Sequence, residues 1–165
     1  MLEGLKVIEM ATYVAAPAAG AMLRDWGADV TKVEPLNGCP MRRFFEGMKS
    51  NIPIEGNPIF TLDNRGKKGV TINTSDEKGA EIVREMIKNA DVFLTNVRPQ
   101  SLESAKLDYN SLSKINPKLV YCSLTGYGLD GDDKNNLSIS GKKYIIENND
   151  SKFLIDSWFV LSLIA

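Results

Sequence analysis

The chain has 165 residues, 43% of them hydrophobic and 25% charged, with a formal net charge of −1. That suits one domain able to bury a core, and it lacks the basic excess that nucleic-acid binding draws on. There is no histidine, which excludes Ser-His-Asp and Cys-His catalysis within this chain, and only two cysteines, Cys39 and Cys122, far apart in sequence.

Those cysteines read as free thiols, with neither a disulfide framework nor a metal site expected. No run of about 18 apolar residues is present, so no membrane-spanning helix is expected. Met1 to Lys6 lacks the basic start and small-residue cleavage site of a signal peptide, and the expected compartment is the cytoplasm.

In chain order, residues 6–10 read as a short buried strand and 11–16 as a small-residue loop. Pro17 suits the first position of a helix, and Ala18, Ala19, Met22, Leu23 and Trp26 recur at helical spacing until Gly27 stops it. Residues 29–34 form a second strand, ended by Pro35, which makes a βαβ unit and predicts a parallel sheet. Residues 36–58 carry Pro40, Pro53, Pro58 and three glycines and read as a long excursion without a pattern. Residues 69–73 are a third strand, Thr74 with Glu77 a capping box, and the apolar pairs Ile82/Val83 and Met86/Ile87 a helix ending near Ala90. A fourth strand at 91–95, short helices at 99–105 and 108–115, a fifth strand at 119–124 and a Gly126-Tyr127-Gly128 turn complete the alternation. The fold class expected is α/β, a Rossmann-like parallel sheet with flanking helices.

The character changes over 132–165, where Asn, Ser, Lys and Ile dominate without a clear period. This stretch is expected to be a divergent tail. Its last residues, 153–165, are apolar enough to need a partner surface.

Ligands of open parallel sheets sit outside the carboxyl ends of the strands. Three loops are expected there: Ala11 to Ala16, Asn96 to Pro99, and Thr125 to Gly128. Ile72 and Asn73 close the third strand on the same side. Each feature has a plainer reading. Small residues between strand and helix also serve tight packing. Arg98 pairs with a phosphate or is a solvated surface charge. Asn96 holds an adenine or amide, or makes a turn. Lys67 and Lys68 add positive charge nearby or face solvent. Together they point to a nucleotide-type ligand.

Five ordered blocks carry a more specific signal: Leu5 to Met10 with Val14 to Ala19; Leu23 to Pro35; Asn64 to Asn73; Ala90 to Pro99; and Leu107 to Tyr109 with Asn116 to Gly128. This order of blocks, over residues 1 to 131, resembles the family III CoA-transferases of the CaiB/BaiF type. The wording is similar to the 2-hydroxyacyl members from amino-acid-fermenting anaerobes, of 2-hydroxyisocaproate or phenyllactate type. The resemblance implies a Rossmann-like CoA-binding domain over 1–131, acyl-CoA and a carboxylic acid as substrates, no metal, and an interlocked homodimer that this chain is not expected to complete. By that analogy Thr12, Tyr13, Val14 and Ala15 lie along coenzyme A. Ile72, Asn96, Val97, Arg98 and Ser101 lie near its adenosine and phosphates, and Thr125 and Gly126 near its pantetheine arm. Three positions depart from members that carry basic residues: Pro35, Ser75 and Ser104.

The family's nucleophile is an aspartate opening a later helix, and it is expected beyond Ala165. The Gly-Pro and Pro-Gly-Phe-Asp signatures expected after Gly131 are missing, and Asp156 does not match in its neighbours. The tail therefore reads as a frameshifted or prematurely ended frame. The activity implied is transfer of CoA from an acyl-CoA to a carboxylate through an aspartyl anhydride and an aspartyl-CoA thioester. The alternatives are an inactive CoA-binding fragment and an α-methylacyl-CoA racemase, against which the lack of histidine speaks.

Overall fold

The computed structural model describes residues 1–128 and 132 and the backbone of 143–148 and 151–156. Five strands, β1 (Lys6–Met10), β2 (Asp29–Glu34), β3 (Lys68–Thr71), β4 (Val92–Thr95) and β5 (Val120–Thr125), are parallel and alternate with helices. Two more, β6 (Lys143–Asn148) and β7 (Ser151–Asp156), form an antiparallel hairpin along β5. The order is β3-β2-β1-β4-β5-β6-β7. The tail thus contributes two strands where the sequence shows no period; the apolar run after Asp156 lies outside the described residues.

Parallel strands are covered on both faces, and alternate residues divide between two cores. Val7, Val30, Leu94 and Leu124 pack with Ala16 of helix α1 (Ala15–Asp25). Ile8, Val33, Phe93 and Tyr121 pack with Val83 and Ile87 of α4 (Glu77–Ile87), Leu102 of α5 (Pro99–Ser104) and Leu112 of α6 (Tyr109–Ile115). Helix α1 begins two residues before Pro17, which sits in its first turn, where a missing N–H leaves no bond unmade. Gly27 ends it as expected, with φ of 105°.

Under α1 the alternation of β1 brings Glu9, not an apolar residue, onto the Val7 face. Glu9 is fully buried and binds two ammonium groups: Lys32 at 2.7 Å and Lys67 at 2.6 Å, each 2% exposed. Lys32 also donates to the Ala11 carbonyl, and Lys67 to the carbonyls of Pro17 and Asp63. Burial pushes the Lys67 ammonium down and the nearby Asp63 carboxyl up. Gly20 makes room for this carboxylate: a Cβ there would stand 2.0 Å from Glu9 Oε2.

The excursion after Pro35 folds around two polar side chains. It runs through a 3-10 turn at Pro40–Arg43, helix α2 (Phe44–Gly47), a second 3-10 turn at Ile54–Gly56 and helix α3 (Pro58–Asn64). Glu34 accepts from Cys39 N at 2.7 Å and from Arg42 Nε and Nη2 at 2.8 Å. The Arg42 guanidinium lies 3.9 Å from the Phe60 ring centroid. Buried Asn57 caps α3 at Phe60 N and donates to the Met41 carbonyl at 2.6 Å. The α4 cap differs from the expected box: Asp76, two residues after Thr74, accepts from Lys78 N, and its own N–H closes a turn on the Asn73 carbonyl.

Gly20→Ala is expected to lose about 1–3 kcal/mol of stability in urea titration, because the new methyl drives Glu9 off its two lysines. Burial raises the Glu34 carboxyl, but the Arg42 hydrogen bond, the Cys39 N–H and the Arg42 charge outweigh it and hold it below its ordinary value of 4.5. A carboxyl depressed in the folded state stabilises above its unfolded pKa and loses that contribution as pH falls through the folded one. The stability advantage of the natural chain over Arg42→Met is therefore expected to be full at pH 7 and to shrink progressively below pH 4.5, read from urea midpoints across pH.

Candidate functional site

The sheet order reverses between β1 and β4: β2 and β3 lie on one side of β1, and β4 and β5 on the other. That switch point is where loops diverge and a crevice opens at the carboxyl ends of the strands. Here the register pairs Met10 with Thr95, so the loops leaving β1 and β4 start side by side. Asn96 locks them together. Its Oδ1 accepts from Thr12 N at 2.9 Å and its Nδ2 donates to the Thr12 carbonyl at 2.8 Å. Thr95 Oγ1 donates to the Met10 carbonyl and accepts from Val97 N. Tyr13 then takes a left-handed turn, φ 63°, which costs a non-glycine residue about 1–2 kcal/mol, and leads Val14 and Ala15 into α1.

A groove in two connected parts runs along this rim. The smaller, about 160 Å³, is lined by Ala11, Thr12, Pro35, Ile72 and Val97 among others. The larger, about 360 Å³, lies between the α4 N-terminus and α5, with Thr74, Ser75, Ser101 and Ser104 on its walls. Met10, Thr74 and Val97 belong to both parts.

The structure therefore brings Thr12, Ile72, Val97 and Ser101 into one groove. Ile72 lies one residue beyond β3, not within it, although its N–H still continues the ladder to the Glu34 carbonyl. Asn96 spends its amide on Thr12 and braces the groove rather than facing it. Arg98 is exposed at the start of α5, and its backbone carbonyl accepts from Ser101 N. Its guanidinium joins none of the ion pairs among the described residues. Thr125 and Gly126 stand at the tip of β5, outside the groove lining, where Thr125 Oγ1 accepts from Gly128 N at 2.9 Å. Neither lysine adds charge to the groove: Lys67, against both readings, is buried on Glu9, and Lys68 faces solvent as its plainer reading had it, paired with Asp29 at the amino end of β2.

Met10, Thr74, Asp76, Glu77 and Gln100 also line the groove and carry no ligand signal in the sequence. Their placement directly after a strand or at a helix start was the available clue. The lining carboxylates are all committed. Glu34 holds Arg42, Asp76 caps α4, and Glu77 pairs with Arg84 at 2.8 Å. Burial lifts the Cys122 thiol to about 11, which keeps it protonated at neutral pH. Among the described residues no group of three or more His, Cys, Asp or Glu is placed to hold a metal ion, and no helix is long and apolar enough to cross a membrane.

Asn96→Ala is expected to speed hydrogen exchange at the Thr12 amide by about tenfold, the equivalent of about 1.4 kcal/mol, while amides within β1 keep their protection.

The family model for CoA-transferase family III matches residues 2–141. The chain is 41% identical over 131 residues to an (R)-2-hydroxy-4-methylpentanoate CoA-transferase from Clostridioides difficile, covering 79% of this chain and 33% of that protein. It is 42% identical over 134 residues to a cinnamoyl-CoA:phenyllactate CoA-transferase from Clostridium sporogenes, covering 81% of this chain and 32% of that protein. The chain thus spans about a third of the length of these relatives. The crystal structure of a CaiB/BaiF family protein from Brucella suis superimposes with a TM-score of 0.73 at 39% identity, over 84% of this chain and 36% of that one.

Proposed function

The chain belongs to CoA-transferase family III, and from that premise we propose that it forms the CoA-binding part of an enzyme that moves CoA between an acyl-CoA and a carboxylic acid. The observation that carries this reading is the groove at the β1–β4 switch point, lined by Thr12, Ile72, Val97 and Ser101. Coenzyme A would run along it, with Tyr13, Val14 and Ala15 following its length and Arg98 meeting a phosphate. Asn96 would act by fixing the Thr12 loop, and Thr125 and Gly126 would flank the pantetheine arm. The names of the two clostridial relatives favour a 2-hydroxy acid as the acyl group.

The transfer is covalent. An aspartate attacks the thioester carbonyl, expels CoA thiolate and leaves an acyl anhydride. The thiolate then attacks the aspartyl carbonyl, releases the first acid and forms an aspartyl-CoA thioester. The acceptor carboxylate reverses these steps. Every lining carboxylate is already held by a cation or a backbone N–H, so the nucleophile is proposed to come from outside the described residues. The cytoplasm is the proposed compartment, and the interlocked homodimer is proposed only for an assembly containing the family's second domain.

Coenzyme A is expected to stabilise the chain by about 2.7 kcal/mol when present at 100 times its Kd, read as a rise in Tm with a matching calorimetric Kd. No shift and no heat at millimolar CoA would sink the reading. An assay of acyl transfer to a free carboxylate separates a complete transferase from a chain that binds CoA without turnover.

A further inference from the structure

Resting on the CoA-binding reading, we propose that Lys32 is a positioning residue for the ligand: its ammonium, fixed by Glu9, sets the place of the Ala11 carbonyl and with it one wall of the groove. Where β1 ends, three successive carbonyls are each taken by a side chain from a neighbouring strand. Thr95 Oγ1 donates to Met10, Lys32 Nζ to Ala11 and Asn96 Nδ2 to Thr12, each at 2.8 Å. Thr95 and Asn96 stand at the tip of β4 and Lys32 belongs to β2, so the chain is gripped from both sides of β1. Met10, Ala11 and Thr12 all line the smaller part of the groove.

Of these three donors Lys32 is the charged one, and it is 2% exposed. An ammonium buried alone would lose its proton or be drawn toward water. Glu9 Oε1, at 2.7 Å, keeps it charged and in place. A buried ion pair of this kind adds little stability over apolar side chains of the same volume, because desolvation of both charges offsets their attraction. What it adds is direction: the ammonium must sit between one carboxylate oxygen and one carbonyl. Ala11 is itself buried, packed with Val7 and Ala16, so its carbonyl has no water to turn to. Without the ammonium that carbonyl is a buried acceptor lacking its donor, and the peptide would rotate to find another, carrying Thr12 with it. Tyr13, held at φ 63°, would relax in the same movement. The ligand would then meet a wall in several arrangements, and its affinity would fall with the fraction that is competent to bind.

Two variants of the full chain separate positioning from a purely structural role. Glu9→Gln keeps an oxygen for Lys32 and so keeps the donor to Ala11. E9Q/K32M then removes that donor, together with a buried charge that the first change had left unbalanced. The double variant is expected to unfold at a urea concentration at least as high as E9Q. It is nevertheless expected to bind CoA at least about fivefold more weakly in calorimetric titration, with the Thr12 amide exchanging about tenfold faster and the Phe93 and Tyr121 amides unchanged. A smaller difference in Kd, or an affinity that merely follows the urea midpoint, overturns the proposal and leaves the CoA-binding reading intact. Weaker binding without faster exchange at Thr12 would mean that Lys32 acts elsewhere than on this loop, and overturns it too. E9Q/K32M loses one charge of each sign, so if Glu9→Gln alone does not fold, the double variant is read directly against the natural chain, with the same changes in Kd and exchange expected. Failure of the double variant to fold would make Lys32 an element of stability and overturn the proposal. No CoA binding by the natural chain overturns both readings.

Discussion

A carboxylate sealed between two ammonium groups governs the arrangement of this domain. Moving one charge out of water costs several kcal/mol even after relaxation, and losing one partner of a buried pair costs about 3–5 kcal/mol. Glu9, Lys32 and Lys67 therefore stay buried only while β1, β2 and the turn before β3 keep their places, and while α1 presents Gly20 above them. The same lysines hold the Ala11 carbonyl in the loop between β1 and α1 and the Pro17 carbonyl in the first turn of α1. Core electrostatics thus position the loop that walls the groove.

The far wall rests on a second buried anion. Glu34 ends β2 and gathers Cys39 N and Arg42, and Asn57 ties Met41 to the start of α3. Twenty-odd residues without periodicity become ordered because two buried polar side chains have their bonds satisfied only in this arrangement. The outcome places Glu34 and Pro35 beside Ile72 and Val97.

These two devices use up cations. Among the described residues, the groove lining itself carries hydroxyl, amide and carboxylate groups, with the exposed Arg98 beside it. Asn96 illustrates the division of labour: it stands where a ligand contact is expected, but both ends of its amide close the scaffold.

Much of this was legible in the residues alone. Short apolar runs, Gly27 and the βαβ alternation determined five strands and the parallel α/β class, because burial on both faces and a glycine with positive φ leave local marks. The ordered blocks determined the family. Thr12, Ile72 and Val97 as neighbours followed from strand tips in a known topology, and Ser101 was implied only by the family resemblance. The tertiary structure decided what pairwise charge does: Lys67 reads as a surface cation until Glu9, far away in sequence, takes it into the core. It decided that Asp76 caps α4, that Asn96 spends its amide on Thr12, and that 143–148 and 151–156 add two strands beside β5. Each of these depends on which distant partner satisfies a polar group, and a linear sequence carries no record of that distance.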